Sequence, residues 1–476
     1  TLNCILYTLT DPGDTTITVT RLKNYDTGQL YVTRIADEDG YTSFEFKDKL
    51  GQVVLTRQIL REGTSKNLHD TYYIYDDFGN LRVVLPPLAS DQMKTGTSWT
   101  SSQAGSPLRD YAYLYKYDLR SRCIRKRLPG TAWVYYVYDK ADRLIFTQDG
   151  EQRAKTPTPE WTFNKYDAFG RLIISGIYPS SASHASLIAK CKDIVITEKI
   201  DPNKYYGYTW NILPEVVYTG SMIINYYDAY DAFPNNTQIN YRELLKYTEK
   251  SGYGQRYIDN GLLLNTPKGQ LTATRARSLM PDGSMEVGTV SMLYYDNRGR
   301  LIQTKSANHL GGVDEEYIAY NFTGQPTKKM HVHTKDANGG GKQTELYTYT
   351  YDHAGRLLTT THQLIDGTTA RPQVTLADNT YDELGRLKYN QKGGLASSKT
   401  TYGYNIRSWT KSITSPLFSQ TLYYNDKVTA HSYSDYESAY NGNISGMEWQ
   451  LQGESKRSYR FKYDNLSRLL HAAYNG

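Results

Sequence analysis

The sequence predicts an almost entirely β protein: consecutive antiparallel β-hairpins curved into a spiral sheet or hollow shell. One turn motif, Tyr-Asp-x-x-Gly-(Arg/Asn)-Leu, returns along the chain. Aromatic residues alternate at period two just before it, which puts them on one face of a strand. Tyrosine also dominates the aromatics, with 46 Tyr against 10 Phe and 6 Trp. A ring with a polar tip suits strands whose face is only half buried.

The motif reads Tyr75-Asp76-Asp77-Phe78-Gly79-Asn80-Leu81 and Tyr166-Asp167-Ala168-Phe169-Gly170-Arg171-Leu172. It returns as Tyr295-Asp296-Asn297-Arg298-Gly299-Arg300-Leu301, as Tyr351-Asp352-His353-Ala354-Gly355-Arg356-Leu357, and as Tyr381-Asp382-Glu383-Leu384-Gly385-Arg386-Leu387. Copies without the glycine stand at Tyr117-Asp118, Tyr138-Asp139 and Tyr463-Asp464. Looser relatives occupy 48–51, 320–324 and Tyr404-Asn405. This is hairpin-turn chemistry. Asp opens the turn and accepts hydrogen bonds from the amides that follow. Gly supplies the positive φ of a type I turn with a G1 bulge. Asp142 tolerates the left-handed region in one degenerate copy, whereas Ser121 and Ser467 are less natural there and leave room for different turns. Arg follows Asp by four residues across the turn and can pair with it.

The flanks read as strands. Tyr113, Tyr115 and Tyr117 alternate, as do Tyr347, Tyr349 and Tyr351, and Tyr459, Phe461 and Tyr463. Lys116 and Lys462 sit between them, so one face is aromatic and the other charged. In a hollow wall such rings form cross-strand ladders and leave their hydroxyls near water. Motif tyrosines recur 21 to 31 residues apart, the length of one hairpin and its return. Three regions follow: hairpins over 1–178, a divergent elaboration of the sheet over 179–290, and hairpins again over 291–476. A polar loop lies at 89–109 and a Gly-rich tip at 338–341. A short helix is expected near 184–192, with Leu187, Ile188 and Cys191 on one face. Tyr227-Asp228 and Tyr230-Asp231 are near-motifs lacking the glycine. The array reaches its last turn without a cap and does not begin with Met, which points to a longer parent.

Composition narrows the function. The formal charge of +6, from 55 basic and 49 acidic residues, is too balanced for a nucleic-acid partner. The basic cluster Arg120, Arg122, Arg125, Lys126 and Arg127 reads as the solvated face and turn of one hairpin. Cys4, Cys123 and Cys191 are odd in number and far apart, so no disulfide framework is expected. No apolar run approaches the ~20 residues of a membrane span.

At these motifs the chain resembles the YD-repeat, or Rhs (rearrangement hotspot), family of bacteria. The stretches 48–54 and 148–150 are similar to the large multi-repeat Rhs proteins. Toxin-complex cocoon proteins and teneurins share the architecture. The resemblance implies hairpins wound into a hollow shell around a C-terminal toxin. It implies partners within the parent polypeptide, namely further repeats, a core segment and the toxin, and secretion or cell-surface proteins outside it. It also implies a secreted or cell-surface location in a bacterium. The family's self-cleaving core uses aspartates in Asp-Pro-x-Gly contexts. Here Asp11-Pro12-Gly13 lies at the wrong end, and Asp201-Pro202 lacks the glycine.

No GxSxG elbow, HExxH, Walker loop or GxGxxG is present. His331 and His333 share a strand face, but no third metal ligand stands at suitable spacing. Asp37, Glu38 and Asp39 before Gly40 read as a turn. The motif carboxylates recur once per turn, as a structural role requires and a single active site does not. No catalytic residue, metal or cofactor is therefore expected. Asp76, Gly79, Asp118, Asp139, Asp167, Gly170, Asp296, Gly299, Asp352, Gly355, Asp382, Gly385 and Asp464 are structural turn residues. Two functions remain. One is a non-catalytic shell segment that encapsulates a C-terminal toxin or other polypeptide cargo absent from this chain. The other is an extracellular module that binds glycans or proteins through aromatic strand faces. A parent gene with a downstream core segment favours the first, and one with a surface anchor the second.

Overall fold

The computed structural model describes residues 3–36, 42–62, 65–204, 206–210, 221–231, 233–234, 240–256, 258–259, 262–263, 267–279, 285–336, 338–426 and 438–475. The Asp37–Gly40 turn lies outside them. The fold is nearly all antiparallel β, with a few short helices. It divides into two compact units. One comprises Thr1–Val137, Thr147–Lys155 and Gly403–Gly476, the other Tyr138–Phe146 and Thr156–Tyr402.

In the second unit consecutive strands pair in chain order: Glu160–Tyr166, Leu172–Pro179, Ser221–Tyr227, Leu271–Leu279, Met285–Tyr295, Leu301–Ala307, Val313–Tyr320, Pro326–His333, Gln343–Tyr351, Leu357–Asp366, Val374–Tyr381 and Leu387–Lys392. The ladder shifts register where the motif tyrosine meets its leucine, as at Tyr166–Leu172, Tyr295–Leu301 and Tyr351–Leu357. That extra residue is the bulge, and it sharpens the local twist.

Register lets one face be followed from strand to strand. Trp161, Phe163 and Lys165 stand beside Ile174, then Ile224 and Tyr226, then Ala273, Met292, Lys305, Glu315 and Val332. Trp161, Phe163, Ile174, Ile224, Tyr226 and Ala273 on this face are buried. Motif tyrosines lie on the opposite, half-buried face.

Two departures from the regular array cover the first face. The helix expected near 184–192 spans His184–Cys191, with the Ser183 hydroxyl capping its N-terminus and Leu187 and Cys191 buried. The His184 ring stacks on Trp161, Tyr208 on Tyr226, and Trp210 meets Phe163 edge-on at 6.2 Å. Lys165 and Glu198 form a wholly buried ion pair at 2.5 Å. The second cover is an insertion within a turn. Tyr227 pairs with Leu271, and the Asp228 amide donates to Gln270 O at 3.0 Å. Asp228 also accepts from the Gly269 amide at 2.6 Å. Tyr227-Asp228 and Gly269-Gln270-Leu271 are thus the two halves of one motif turn, with residues 229–268 inserted at its tip. Tyr230-Asp231 is therefore no second turn: Tyr230 stacks on Tyr294 at 4.9 Å. Tyr253 packs on Tyr317, and the Tyr294 hydroxyl donates to Leu245 O at 2.7 Å.

The first unit repeats this plan. Strands Tyr31–Ala36, Thr42–Lys47, Val53–Glu62, Ser65–Tyr75, Leu81–Leu85, Tyr113–Tyr117 and Cys123–Arg127 pair in order. The cover is the hairpin Ile5–Gly13/Thr16–Asn24, extended by Ser98–Thr100 and helices Pro87–Gln92 and Pro107–Asp110. Ile17, Val19, Phe46, Leu55, Val83, Leu85, Met93 and Leu114 are fully buried between cover and sheet. Arg57 and Asp70 pair bidentately in the same core at 2.7 Å.

Candidate functional site: the repeated turn and its clasp

The structure shows how each turn closes. Oδ1 of Asp118 accepts from the amides of Arg120 and Arg122 at 2.9 and 3.0 Å. The same pair of bonds recurs at Asp76, Asp139, Asp167, Asp296, Asp352, Asp382 and Asp464. Asn405 does the same with its side-chain amide oxygen, and Asn321 accepts from the Gln325 amide and the Thr323 hydroxyl. Gly79, Gly170, Gly299, Gly355 and Gly385 have φ between +72° and +82°. Ser121, Asp142 and Ser467 hold the same left-handed conformation, at +57°, +62° and +58°. The serine turns therefore do not differ. Their aspartates make the same two amide bonds, which outweigh the strain of about 1–2 kcal/mol per left-handed residue.

Arginine completes the turn. Its Nε donates to the free Oδ2 at 2.6–3.0 Å in seven copies, from Asp118–Arg122 to Asp464–Arg468. Burial alone pushes the carboxyls of Asp118, Asp139 and Asp464 up, but their arginines and the turn amides hold them below the usual carboxylate value.

The motif leucine and tyrosine work between hairpins. The Tyr166 hydroxyl donates to Leu144 O at 2.8 Å, the motif leucine of the preceding turn. Tyr227 does so to Leu172 O, Tyr320 to Leu301 O and Tyr381 to Leu357 O, at 2.8–3.2 Å. Tyr75, Tyr295, Tyr351 and Tyr463 reach equivalent carbonyls of Val53, Leu271, Pro326 and Ile444. The preceding arginine lies over the same ring: Arg143 over Tyr166, Arg171 over Tyr227, Arg300 over Tyr320, and Arg356 over Tyr381, at 4.5–5.4 Å. The phenols are therefore not left to water. Each of these eight clasps the previous hairpin, which is a physical reason for Tyr rather than Phe. The signal was in the sequence, since Tyr and Leu keep fixed places in the five full copies of the motif. Only the geometry pairs each Tyr with the Leu one repeat earlier.

The charged residues also differ from expectation. Lys116 is buried, and donates to Thr16 O at 3.1 Å and to Asp11 at 3.1 Å. On this strand the charged position faces the cover, and the aromatic ones lie on the other face. The basic cluster is not simply solvated. Arg122 pairs with Asp118, Arg125 with Asp14, and Arg127 donates to Thr131 O and Ser101 O. His333 Nδ1 lies 2.6 Å from Asp314, while His331 stands 3.9 Å from Glu345. Among the described residues no three His, Cys, Asp or Glu side chains converge as a metal site would require.

No known protein family matches the chain by sequence, and no curated protein does. Solved structures do match. One is the Photorhabdus luminescens Tc holotoxin pore, at 12% identity and a TM-score of 0.36, covering 96% of this chain and 20% of that one. Another is a crystal structure of TcdB2–TccC3–TEV, at 11% identity and 0.37, covering 99% and 22%. A third is TcdB2–TccC3 without its hypervariable C-terminal region, at 12% and 0.34, covering 99% and 22%. The chain spans about a fifth of the length of these proteins. Similarity of this degree leaves function to be argued from the chain's own geometry.

Proposed function

We propose that this chain is a non-catalytic wall segment of a YD-repeat (Rhs-type) shell, which encloses a polypeptide cargo carried by a longer parent. One observation carries the reading. Between residues 345 and 402 of the second unit the strands form an array in which no residue is buried, so among the described residues no second layer covers it. In-sheet ladders and the Tyr-to-Leu clasp hold it instead. A sandwich or a compact enzyme would bury that face against another layer. A wall that borders a filled lumen has reason to keep it polar. The recurrence of the same Asp-Arg pair at seven turns supports a structural role, as does the resemblance of the motif to the Rhs family. A secreted or cell-surface bacterial location belongs to the same reading.

The test is protection. A protease-sensitive unfolded reporter is fused after Gly476, and its digestion is compared with that of the free reporter. The expected result is digestion slowed at least about tenfold, with release of protection when the chain is unfolded by urea. Equal digestion rates would overturn the reading. A glycan array lit by the chain would favour recognition.

A further inference from the structure

The geometry points to a strand-addition groove in the N-terminal hairpin of the first unit, which takes an extended, basic segment of a separate polypeptide. This is independent of the wall reading. Ile5–Gly13 is the terminal strand of its three-stranded sheet, with Thr16–Asn24 and then Ser98–Thr100 on its other side. The direction of its backbone groups follows from its neighbours. Arg21 N donates to Thr97 O and Ser101 N to Ile17 O, both at 2.9 Å. Odd-numbered residues of Thr16–Asn24 therefore face Ser98–Thr100. Their partners across the other ladder, Tyr7 opposite Arg21 and Leu9 opposite Val19, face away from it. The N–H and C=O groups of Tyr7 and Leu9 thus point to the free edge. Ile5 agrees with this phase, since its amide leaves the sheet to reach the Tyr72 hydroxyl at 3.4 Å. Among the described residues no partner is recorded for the edge-facing groups of Tyr7 and Leu9.

That edge borders a cavity of about 520 Å³. The size is within the ~300–1,000 Å³ of ligand pockets. Strand Ile5–Gly13 forms one wall, and Tyr73 and Tyr75 with the turns at Asp48 and Asp76–Gly79 form another. Unmet backbone groups along a cavity call for a strand, because only a main chain offers donors and acceptors at that spacing. The lining gives the charge. It holds Asp48, Asp76 and Asp77 and no Lys, Arg or His. Arg82 approaches Asp76 at 3.4 Å, while no cation is recorded beside Asp48 or Asp77 among the described residues. Half-buried tyrosines complete a wall suited to lysine or arginine, by cation–π contact and by carboxylate pairing. An acidic strand would meet like charges.

The probe is a fluorescein-labelled decapeptide in which Lys alternates with Val and Thr, titrated into the full chain by anisotropy. Controls carry Glu for Lys, or N-methyl groups on alternate amides in either phase. The lysine peptide is expected to bind saturably. The Glu peptide and one N-methylated phase should bind at least about tenfold more weakly, the scale of one lost charge-assisted bond. Asp77→Lys, at an exposed turn tip, and Leu9→Pro, which deletes an edge-facing N–H, should each weaken binding similarly. Amide exchange at Tyr7 and Leu9 should slow on binding while that at Thr8, already in the ladder, stays unchanged. If Leu9→Pro fails to fold, the N-methyl peptides and the exchange data decide alone. Absence of saturable binding, equal binding of all peptides, or protection elsewhere would overturn the proposal. Concentration-dependent dimerisation abolished by Leu9→Pro would assign the edge to a second copy and overturn it too.

Discussion

Two stretches of one face in the second unit differ in what they touch. From Trp161 to Met292 the face is mainly apolar around the buried Lys165 and Arg275, and the described parts of 180–210 and 229–268 lie over it. At Met330 and Leu346 the cover ends. The pairing continues from Leu346 to Gln363, Thr348 to Thr361 and Thr350 to Thr359, then across a one-residue register shift to Thr375 and Asp378, and on to Gln391. Composition changes with the cover, from Trp, Phe, Ile and Met to Thr, Gln and Asp. The opposite face keeps its tyrosines and its clasp throughout. The comparison separates two ways of holding a sheet. The clasp runs through both stretches, and across 345–402 it is present without burial. Burial is added only where the chain supplies a second layer.

The comparison can be broken most sharply at its buried charges. Glu198→Gln removes the carboxylate that neutralises Lys165 under the cover, and should cost about 3–5 kcal/mol in urea unfolding. Glu316→Gln, whose partner Lys329 lies on the half-exposed face, should cost ~0–1 kcal/mol. Similar losses for both would mean that the cover does not seal its face. Next is packing: Phe163→Ala should cost about 3–5 kcal/mol, whereas Thr361→Ala at an uncovered position should fall within ~0.5 kcal/mol of the parent. Gly355→Val should cost more than ~1 kcal/mol, since a β-branched residue resists φ of +80°. The clasp predicts a smaller effect that is alike in both stretches. Tyr166→Phe and Tyr381→Phe should each cost about 0.5–1.5 kcal/mol. If Tyr381→Phe is silent, something other than the clasp holds the uncovered array.

Acid gives the gentlest test. The folded carboxyls of Asp118, Asp139 and Asp464 lie below their unfolded value of 3.8. Their contribution is therefore complete above that value and is lost as pH falls through the lower, folded values. The unfolding midpoint should be level from about pH 7 to 5 and decline below about pH 4. A decline beginning near neutrality would implicate other groups.

The turn was legible in the sequence because all its parts lie within seven residues, and period-two aromatics marked its strands. What escaped was held by distant partners. Nothing near Lys165 in the sequence announces Glu198, and nothing near Asp228 announces Gly269. The split turn looked like a degenerate motif because its glycine lies 41 residues away. Tyrosine content suggested wet phenols, yet their acceptor is a carbonyl, which no side-chain pattern reveals. The face of Lys116 was read as charged with no cover assigned to it, because alternation gives two faces without saying which one is covered.

The Tyr-to-Leu clasp also has a direction. Where the clasp carries both partners, a hairpin leaves a leucine carbonyl and an arginine that the next hairpin engages, as Tyr166 engages Leu144 O and Arg143. During synthesis from the N-terminus, the new hairpin thus emerges beside a finished docking place, a few tens of residues back along the chain. Loop closure is short at each step, and entropy opposes it weakly. Growth in this order gives the nascent chain one exposed end at a time, which limits the unpaired strand edge open to aggregation before release from the ribosome.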